Sequence, residues 1–428
     1  MLKKSFCSTG KGNSRRLKHN MYLILGFLIV IAILSLVLNV SSLDKATVVK
    51  LRKFVNCEDK SYKSSKGIYR DYWVLENYIM ADHGPLSCFA NVTYTSHADY
   101  TYLDNVVPLL ERWRSPLSLA IYAPGSDFIP TLESILYLLQ CHPGRELVRE
   151  LTSFHLYFNV QHLPQVVPSP KMALKRKANC NAPPPYVNVA KKTLYKSRTK
   201  LDYPVNMGRN IARKASLTHF VLASDIELYP SPGLVPAYLR FLSRRVIGRP
   251  GQQPTSPVVH VLRIFEVMSN VSVPNTKTEL QKLLKSNEAI PFHMEICAVC
   301  HRGPKLDEWV NATEVSADLS VFNVGHRSES DNMWEPVFIG TVEDPPYDER
   351  LSWEGQRDKM TQAYAMCVLD YEFHILDNSF LVHKPGIKQP DKSKSIFPQT
   401  RRTNDALINK KISRELRIMY GSRAGCVL

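Results

Sequence analysis

Short apolar runs alternate with stretches of helical periodicity from residue 117 onward. The first run, Leu117–Ala123, lies between two prolines and has the length and composition of a buried strand. We predict strands at 117–123, 153–160, 218–224 and 258–267, and helices at 129–140, 206–216 and 232–245. Strands that alternate with helices favour an α/β fold with a mostly parallel, layered sheet. A chain of 428 residues, 44% hydrophobic, suffices for one large domain or two modest ones.

Residues 21–40, MYLILGFLIVIAILSLVLNV, contain no charged side chain. A helix of this length spans roughly 30 Å of hydrocarbon. Six cations and no acid precede it, so the positive-inside rule places the N-terminus in the cytosol. A cleaved signal peptide is the alternative, but the run exceeds an ordinary apolar core and no clear small-x-small site follows. We therefore expect a cytosolic tail at 1–20, a transmembrane signal anchor at 21–40, a lysine-rich stem at 41–65 and a lumenal catalytic domain at 66–428.

Glycosylation sequons and cysteines agree with a lumenal domain. Sequons begin at Asn91, Asn270 and Asn311, all on the predicted lumenal side. Asn39 also fits the pattern, but it lies at the membrane face, where we expect no glycan. Eight of the nine cysteines follow the anchor, and an oxidising compartment favours disulfides among them, in a pairing that the sequence leaves open.

The net charge is +16, of which the cytosolic tail supplies six. Nine lysines and arginines fall within 171–200, with no acid among them. Such a run is typical of a solvated, mobile loop, and the alternative is a patch that binds an anionic donor or an acidic glycan. Nucleic acid is not an expected partner of a lumenal domain.

Two acids follow the third predicted strand, in the segment FVLASDIELYPSPGL. Asp225 and Glu227 are two residues apart, so an extended backbone would place their carboxylates on one face. Ligands of open α/β sheets gather beyond the carboxyl ends of the strands. Carboxylates at that edge suit Mg²⁺ or Mn²⁺ together with a diphosphate. Two surface acids at a turn are the alternative interpretation.

Five segments resemble glycosyltransferase family 49, over about residues 115 to 390. In chain order they are YPVNMGRNIAR (203–213), SDIELYPSPGL (224–234), WEPVFIG (334–340), PYDERLSWEGQRDKMTQAYAM (346–366) and LDNSFLVHKPG (376–386). The resemblance implies a GT-A-like, Rossmann-like nucleotide-binding sheet, a UDP-sugar donor, a Mn²⁺ ion and a glycan or glycoprotein acceptor. It also implies a Golgi membrane location, inverting transfer in protein O-glycan synthesis, and association with other Golgi glycosyltransferases.

The resemblance also suggests the donor-side residues. Asp225 and Glu227 match the two acids of the DxD signature, although close relatives usually have Asp in the second place. His383 matches a histidine that often completes the metal shell, and its alternative is a packed histidine at a strand end. Arg209 and Asn210 are candidates for holding the nucleotide or the donor carboxylate, since arginine grips carboxylate in a fork. Asp127 follows the first predicted strand and is a candidate for contacting the nucleobase or ribose.

Inversion requires a general base that accepts the proton of the acceptor hydroxyl. Asp348 is our first candidate because it lies in the family-like YDER segment. Asp358, at the start of a predicted helix, is the second, and it is also a good helix N-cap. Asp348 has its own structural alternative, a pairing with Arg350. Glu349 and Glu354 are further candidates.

We consider several functions for a chain that resembles this family. The main hypothesis is transfer of glucuronic acid from UDP-glucuronic acid, β-1,4, to a xylose-type acceptor. Transfer of N-acetylglucosamine or xylose is an alternative, and so is a membrane-tethered glycan-binding protein without turnover, because Glu227 departs from the usual signature. CAVCH at 297–301 fits a haem-attachment pattern, but a disulfide is favoured.

The first test concerns the anchor. We expect the full chain to stay in the membrane fraction after alkaline washing, because such a wash does not extract a charge-free helix of this length. Treatment with an N-glycosidase should increase its gel mobility, and an Asn91→Gln, Asn270→Gln, Asn311→Gln variant should not respond. A secreted product that begins near residue 42 would contradict the anchor.

Overall fold

The computed structural model describes residues 44–245, 256–314, 318–328, 332–389 and 398–428. Within these ranges no helix has the length and apolar character needed to cross a membrane. The predicted anchor at 21–40 lies outside the described residues. The chain divides into two compact units, 1–48 and 49–428, and the second unit contains the sheet and the candidate site.

A twelve-stranded mixed sheet is the centre of the second unit. Its strands are β1 Ser65–Tyr69, β2 Tyr72–Ile79, β3 Val92–Ala98, β4 Leu117–Tyr122, β5 Thr152–Asn159, β6 Phe220–Ala223, β7 Leu228–Pro230, β8 Val258–Val267, β9 Ala289–Pro291, β10 Val321–Gly325, β11 Val337–Thr341 and β12 Glu372–His383. Their spatial order is β1-β2-β5-β4-β3-β6-β11-β8-β12-β10, with β7 paired to β12 and β9 paired to β8.

Helices connect and cover these strands. They are α1 Lys45–Phe54, α2 Val106–Trp113, α3 Phe128–Gln140, α4 Arg145–Leu151, α5 Pro170–Leu174, α6 Tyr195–Arg198, α7 Val205–Ala215, α8 Leu234–Arg245, α9 Lys277–Lys285, α10 Leu306–Asn311, α11 Met360–Val368, α12 Pro398–Leu407 and α13 Ser413–Tyr420. The predicted strands and helices all exist, with ends that differ by a few residues at most, and Pro236 lies in the first turn of α8 as the sequence indicates.

The prediction of a mostly parallel sheet is correct only for its centre. Strands β5, β4, β3 and β6 are parallel to one another, and β8 is parallel to β12. Strand β11 enters antiparallel between β6 and β8, and β1, β2, β7, β9 and β10 also pair antiparallel. The carboxyl ends of the four central strands therefore meet at one edge, where ligands of such sheets bind.

Apolar clusters and four disulfides stabilise the described part of this unit. Phe265 and Trp309 stack in the cluster under β8 and β12, and Tyr122 and Tyr157 belong to the cluster beneath α7. The disulfides are Cys57–Cys88, Cys141–Cys180, Cys297–Cys300 and Cys367–Cys426. They use all eight cysteines of the predicted lumenal part, and the Cys297–Cys300 bond confirms the disulfide interpretation of CAVCH.

The end of the predicted stem contacts the domain. The Cys57–Cys88 bond ties it to the segment before β3, and Lys60 Nζ donates to the carbonyl of Ser216 at 2.8 Å. Of the sequon asparagines, Asn270 and Asn311 are exposed. Asn91 is half-buried, and its side-chain oxygen accepts from the amide of Val92.

A buried ion pair gives a stability prediction. Lys277 is fully buried, its Nζ lies 2.6 Å from Asp377 Oδ1, and it lies 4.3 Å from the centre of the Trp309 ring. Replacing Asp377 with Ala should lower the free energy of unfolding by roughly 3–5 kcal/mol, because it leaves a buried ammonium without its anion. Chemical denaturation measures this change. Lys285→Ala, on the exposed end of the same helix, is the control and should stay within about 0.5 kcal/mol. Equal stability of the two variants would contradict the prediction.

A candidate active site at the carboxyl edge of the central strands

Asp225 and Glu227 lie in the turn between β6 and β7. The amide of Leu228 donates to the carbonyl of Asp225 at 3.0 Å, so the backbone turns here and is not extended as the sequence suggested. Ile226 points into the core, while 28% of the Asp225 side chain and 26% of the Glu227 side chain stay exposed. Both carboxylates therefore face the open side of the strand ends. The backbone that places them there is a turn and not the extended segment that we predicted.

His383, the last residue of β12, faces Glu227. Strand β7 pairs with β12 so that Leu228 lies opposite His383. His383 Nδ1 lies 2.8 Å from the carbonyl of Lys384, and a carbonyl only accepts, so this ring nitrogen carries a proton. The other nitrogen, Nε2, is buried, has no hydrogen-bond partner and lies 3.7 Å from Glu227 Oε2. A neutral His383 would therefore aim a lone pair at a carboxylate, an arrangement that a cation relieves.

The spacing of these two groups fits a shared divalent ion. Ligands at about 2.1 Å from an ion are about 3.0 Å apart at right angles and about 4.2 Å apart when opposite. The 3.7 Å separation of His383 and Glu227 lies between these limits. Among the described residues, no set of three or more His, Cys, Asp or Glu side chains already converges closely enough to hold a metal. The metal assignment of Asp225, Glu227 and His383 stays a prediction.

Arg209 links Asp225 to Asp358. Its guanidinium donates to the Asp358 carboxylate, to Asn206 Oδ1 at 2.9 Å and, more weakly, to Asp225 Oδ1 at 3.4 Å. Only 4% of the Arg209 side chain is exposed. Burial alone would raise the pKa of Asp225, but His97, Lys359 and Arg209 hold that pKa well below 3.8. Together with His97 and Lys359, Arg209 thus favours the ionised form of Asp225, and its role toward the donor stays a prediction.

The other predicted donor-side residues bind protein groups. Asn210 donates to the carbonyl of Tyr347 at 2.8 Å and to Glu349 Oε1 at 2.9 Å. Asp127 is buried, and its Oδ1 accepts the amide of Tyr195 at 2.8 Å, which fixes the start of α6. In this structure both side chains position loops beside the edge, and contact with a nucleotide stays a prediction for both.

The candidate bases Asp348 and Asp358 form ion pairs with different arginines. Both oxygens of Asp348 accept from Arg350, at 2.9 and 2.6 Å, and Arg350 also pairs with Glu415. This confirms the structural alternative for Asp348, whose backbone carbonyl accepts from the same Asn206 amide as the carbonyl of Asp358, both at 2.8 Å. Asp358 is joined to Asp225 through Arg209.

Asp358 does not cap the helix that follows it. The N-cap residue of α11 is Lys359, and its side chain forms no capping hydrogen bond. The N-cap explanation predicted for Asp358 is therefore wrong, because its carboxylate is turned to Arg209. Glu349 pairs with Arg70, and Glu354 accepts the amide of Tyr203 at 2.8 Å.

Two further residues of the site were missed in the sequence. His97, at the end of β3, places Nε2 3.3 Å from Asp225 Oδ1, and its Nδ1 lies 2.9 Å from the Tyr203 hydroxyl. Lys359 pairs with Glu335 at 3.0 Å. Burial alone would lower the pKa of Lys359, but the charges of Glu335, Asp225 and Asp358 raise it. The signal for His97 is its position near the end of VTYTSHA, a segment of β-branched and aromatic residues typical of a strand.

Comparison with known proteins confirms the resemblance drawn from the motifs. The profile of a family described as a glycosyl-transferase for dystroglycan matches residues 91–421. Beta-1,4-glucuronyltransferase 1 of Danio rerio is 27% identical over 321 residues, 74% of this chain and 71% of that protein. The Mus musculus protein of the same name is 27% identical over 342 residues, 77% of this chain and 76% of its own length. Xylosyl- and glucuronyltransferase LARGE1 of Homo sapiens is 26% identical over 192 residues, 45% of this chain and 23% of that protein. The chain belongs to glycosyltransferase family 49 and is a glycosyltransferase.

Proposed function

We propose that this enzyme transfers glucuronic acid from UDP-glucuronic acid, with inversion, to a xylose-ended acceptor in protein O-glycan synthesis. We place it in the Golgi membrane as a type II protein with a GT-A-like lumenal domain. The names of the relatives support the donor, since beta-1,4-glucuronyltransferase 1 matches most of the chain. Because LARGE1 is named for xylosyl transfer as well, UDP-xylose is the second candidate donor.

The pairing of Glu227 with an unpartnered His383 nitrogen is the observation that supports this proposal most directly. The two groups lie 3.7 Å apart beyond the strand ends, beside the carboxylate of Asp225. Hard oxygen ligands and a neutral imidazole together suit Mn²⁺. A bound Mn²⁺ would supply positive charge to the diphosphate of the departing UDP.

The chain's own residues prepare the site for that charge. Arg209 and His97 keep the Asp225 carboxylate ionised and aimed outward. Lys359 adds a cation on the same side, held by Glu335 at 3.0 Å. Asp358 then becomes our first candidate for the acceptor's proton, ahead of Asp348, because it is linked to Asp225 by one side chain.

Removal of the first acid tests the metal site. Asp225→Asn should abolish Mn²⁺-dependent UDP release from UDP-glucuronic acid, because it removes a charged ligand while keeping the shape of the side chain. The fold should survive, since the residue lies past the strand end, and near-ultraviolet circular dichroism checks this. A folded Asp225→Asn enzyme with full activity would contradict the assignment of Asp225 as a metal ligand. A panel of UDP-sugars assayed with the parent enzyme identifies the donor.

Glu227→Asp is the graded control for this test. It draws the carboxylate back from His383 by about 1.5 Å, the length of one carbon–carbon bond. We expect a higher Mn²⁺ concentration at half-maximal activity and an almost unchanged kcat at saturating Mn²⁺. An unaltered Mn²⁺ requirement would show that Glu227 does not bind the ion.

The base is tested by a pair of matched variants. Asp358→Asn should lower kcat by about 10²–10⁴-fold while UDP binding persists, because a general base acts on the chemical step. Asp348→Asn should change stability or acceptor KM and leave kcat near the parent value. The opposite result, with an inactive Asp348→Asn that binds UDP, would restore Asp348. A loss of UDP binding in Asp358→Asn would instead make Asp358 a positioning partner of Arg209.

A further inference from the structure

The loop that carries both candidate bases packs against the C-terminal helices. We call residues 347–359, which directly precede α11, the site loop. Its Leu351 is buried in one apolar cluster with Ile408 and Ile412, which lie between α12 and α13. The site loop therefore shares a small core with these two helices.

Two ion pairs cross from the site loop to the same helices. Arg350 Nη2 lies 2.7 Å from Glu415 Oε2 on α13. Arg357 donates to Asp405 Oδ1 on α12 at 3.0 Å, one residue before Asp358. The four side chains of these pairs are partly exposed, and such pairs add little to overall stability. Their effect on the loop is therefore mainly one of position.

A glycine lets the site loop approach α12 closely. A Cβ at Gly355 would overlap the side chain of Asn404, which contributes all three of the atoms nearest to it. Asn404 itself is buried. Helix α12 thus touches the site loop three residues before Asp358, in addition to the ion pair one residue before it.

The backbone between these two contacts is strained. Gln356 and Arg357 have φ angles of 56° and 57°, in the left-handed region. Residues with a Cβ adopt this region at an energetic cost, so two in succession persist only where the surroundings hold them. The next residue is Asp358, whose carboxylate pairs with Arg209. The direction in which the chain enters Asp358 therefore depends on the contacts with α12.

The end of the chain is also tied to the helix that follows Asp358. Cys426 is bonded to Cys367 in α11. The hydroxyl of Tyr364, also in α11, donates to the carbonyl of Gly421 at 3.1 Å. The C-terminal part of the chain thus contacts both the site loop before Asp358 and the helix after it.

We propose that the C-terminal helices position Asp358 for the reaction, with Asp405 and Asn404 as positioning residues. They act through the strained backbone of Gln356 and Arg357 and not by contact with the substrate. A displacement of about 1 Å in an active site can lower the rate about 100-fold, so contacts that matter little for stability can matter for turnover. The proposal rests on the proposed function in one respect, the place of Asp358 in the active site.

A charge exchange tests the ion pair. Asp405→Arg turns a second cation toward Arg357, and we expect kcat to fall about 10-fold while the KM for UDP-glucuronic acid and the Mn²⁺ requirement stay unchanged. Adding Arg357→Asp restores an ion pair and should return kcat to within about 3-fold of the parent value. Arg423→Asp, which breaks the pair with Asp370 beyond the far end of α11, is the control and should keep the parent kcat. Equal losses in Asp405→Arg and the control, or no recovery in the double variant, would overturn the proposal.

A steric exchange tests the close contact. Gly355→Ala should push the site loop away from α12 and lower kcat by about 10-fold. Adding Asn404→Gly removes the atoms that the new methyl group meets, so kcat should recover although a glycine inside α12 lowers the Tm. Gly67→Ala is the matched control, because a Cβ there meets nothing within 4 Å. A parent-like kcat in Gly355→Ala, or a kcat that follows the Tm and does not recover, would contradict the positioning role.

Hydrogen–deuterium exchange separates this proposal from the proposed function. The amides of the site loop should exchange faster in Asp405→Arg than in the parent and in the charge-exchanged double variant. Unchanged exchange would overturn the positioning role, whichever donor the enzyme uses. If the parent enzyme releases UDP from no UDP-sugar, the proposed function fails, and the exchange rates alone decide whether α12 holds the site loop.

Discussion

The candidate site depends on the ion pair between buried Arg209 and Asp358, with Asp225 on the other side of the guanidinium. Without Arg209 the two carboxylates would repel each other, and without the carboxylates a buried guanidinium would lack its counter-charge. Helix α7 can bring Arg209 to this place because residue 208 is glycine. A Cβ there would lie 2.7 Å from the Tyr157 hydroxyl and 2.8 Å from His97 Cβ. The absent side chain lets the helix approach β3 and β5 closely.

The mixed sheet provides the second half of the site. Had the sheet stayed parallel throughout, β7 could not have run back along the end of β12. The antiparallel β7–β12 pairing places Leu228 opposite His383, and the amide of Lys384 donates to the carbonyl of Glu227 at 2.8 Å. Glu227 and His383 are 156 residues apart in sequence yet are held by the same short ladder. Strand pairing, and not local sequence, therefore sets the distance between these two candidate ligands.

Elements with strong local patterns were predictable from sequence, and contacts between distant residues were not. The strand Val258–Val267 matches its prediction at both ends because seven of its ten residues are Val, Leu, Ile or Phe, most of them β-branched. Strand β3 was missed because it is buried but rich in polar residues, so it lacks the apolar pattern that identified the other strands. One of these residues, Thr93, has its hydroxyl 2.7 Å from the hydroxyl of Thr218. The acids Asp225 and Glu227 were found from their place after a strand. The N-cap explanation of Asp358 failed because its carboxylate accepts from Arg209, 149 residues away in sequence, and does not cap the following helix.

The CAVCH motif matches a sequence pattern typical of metal or haem sites, but in this structure its cysteines form a disulfide that helps to position nearby residues. The Cys297–Cys300 bond closes a tight loop, whose Cys300 carbonyl accepts the amide of Glu335 at 2.7 Å. His301 Nδ1 lies 3.0 Å from the carbonyl of the same glutamate. The Glu335 carboxylate in turn holds Lys359 at 3.0 Å, next in sequence to Asp358. A chain of short contacts thus runs from the disulfide to the cation beside the candidate active site. The two cysteines and the histidine thus help to fix the position of a charge.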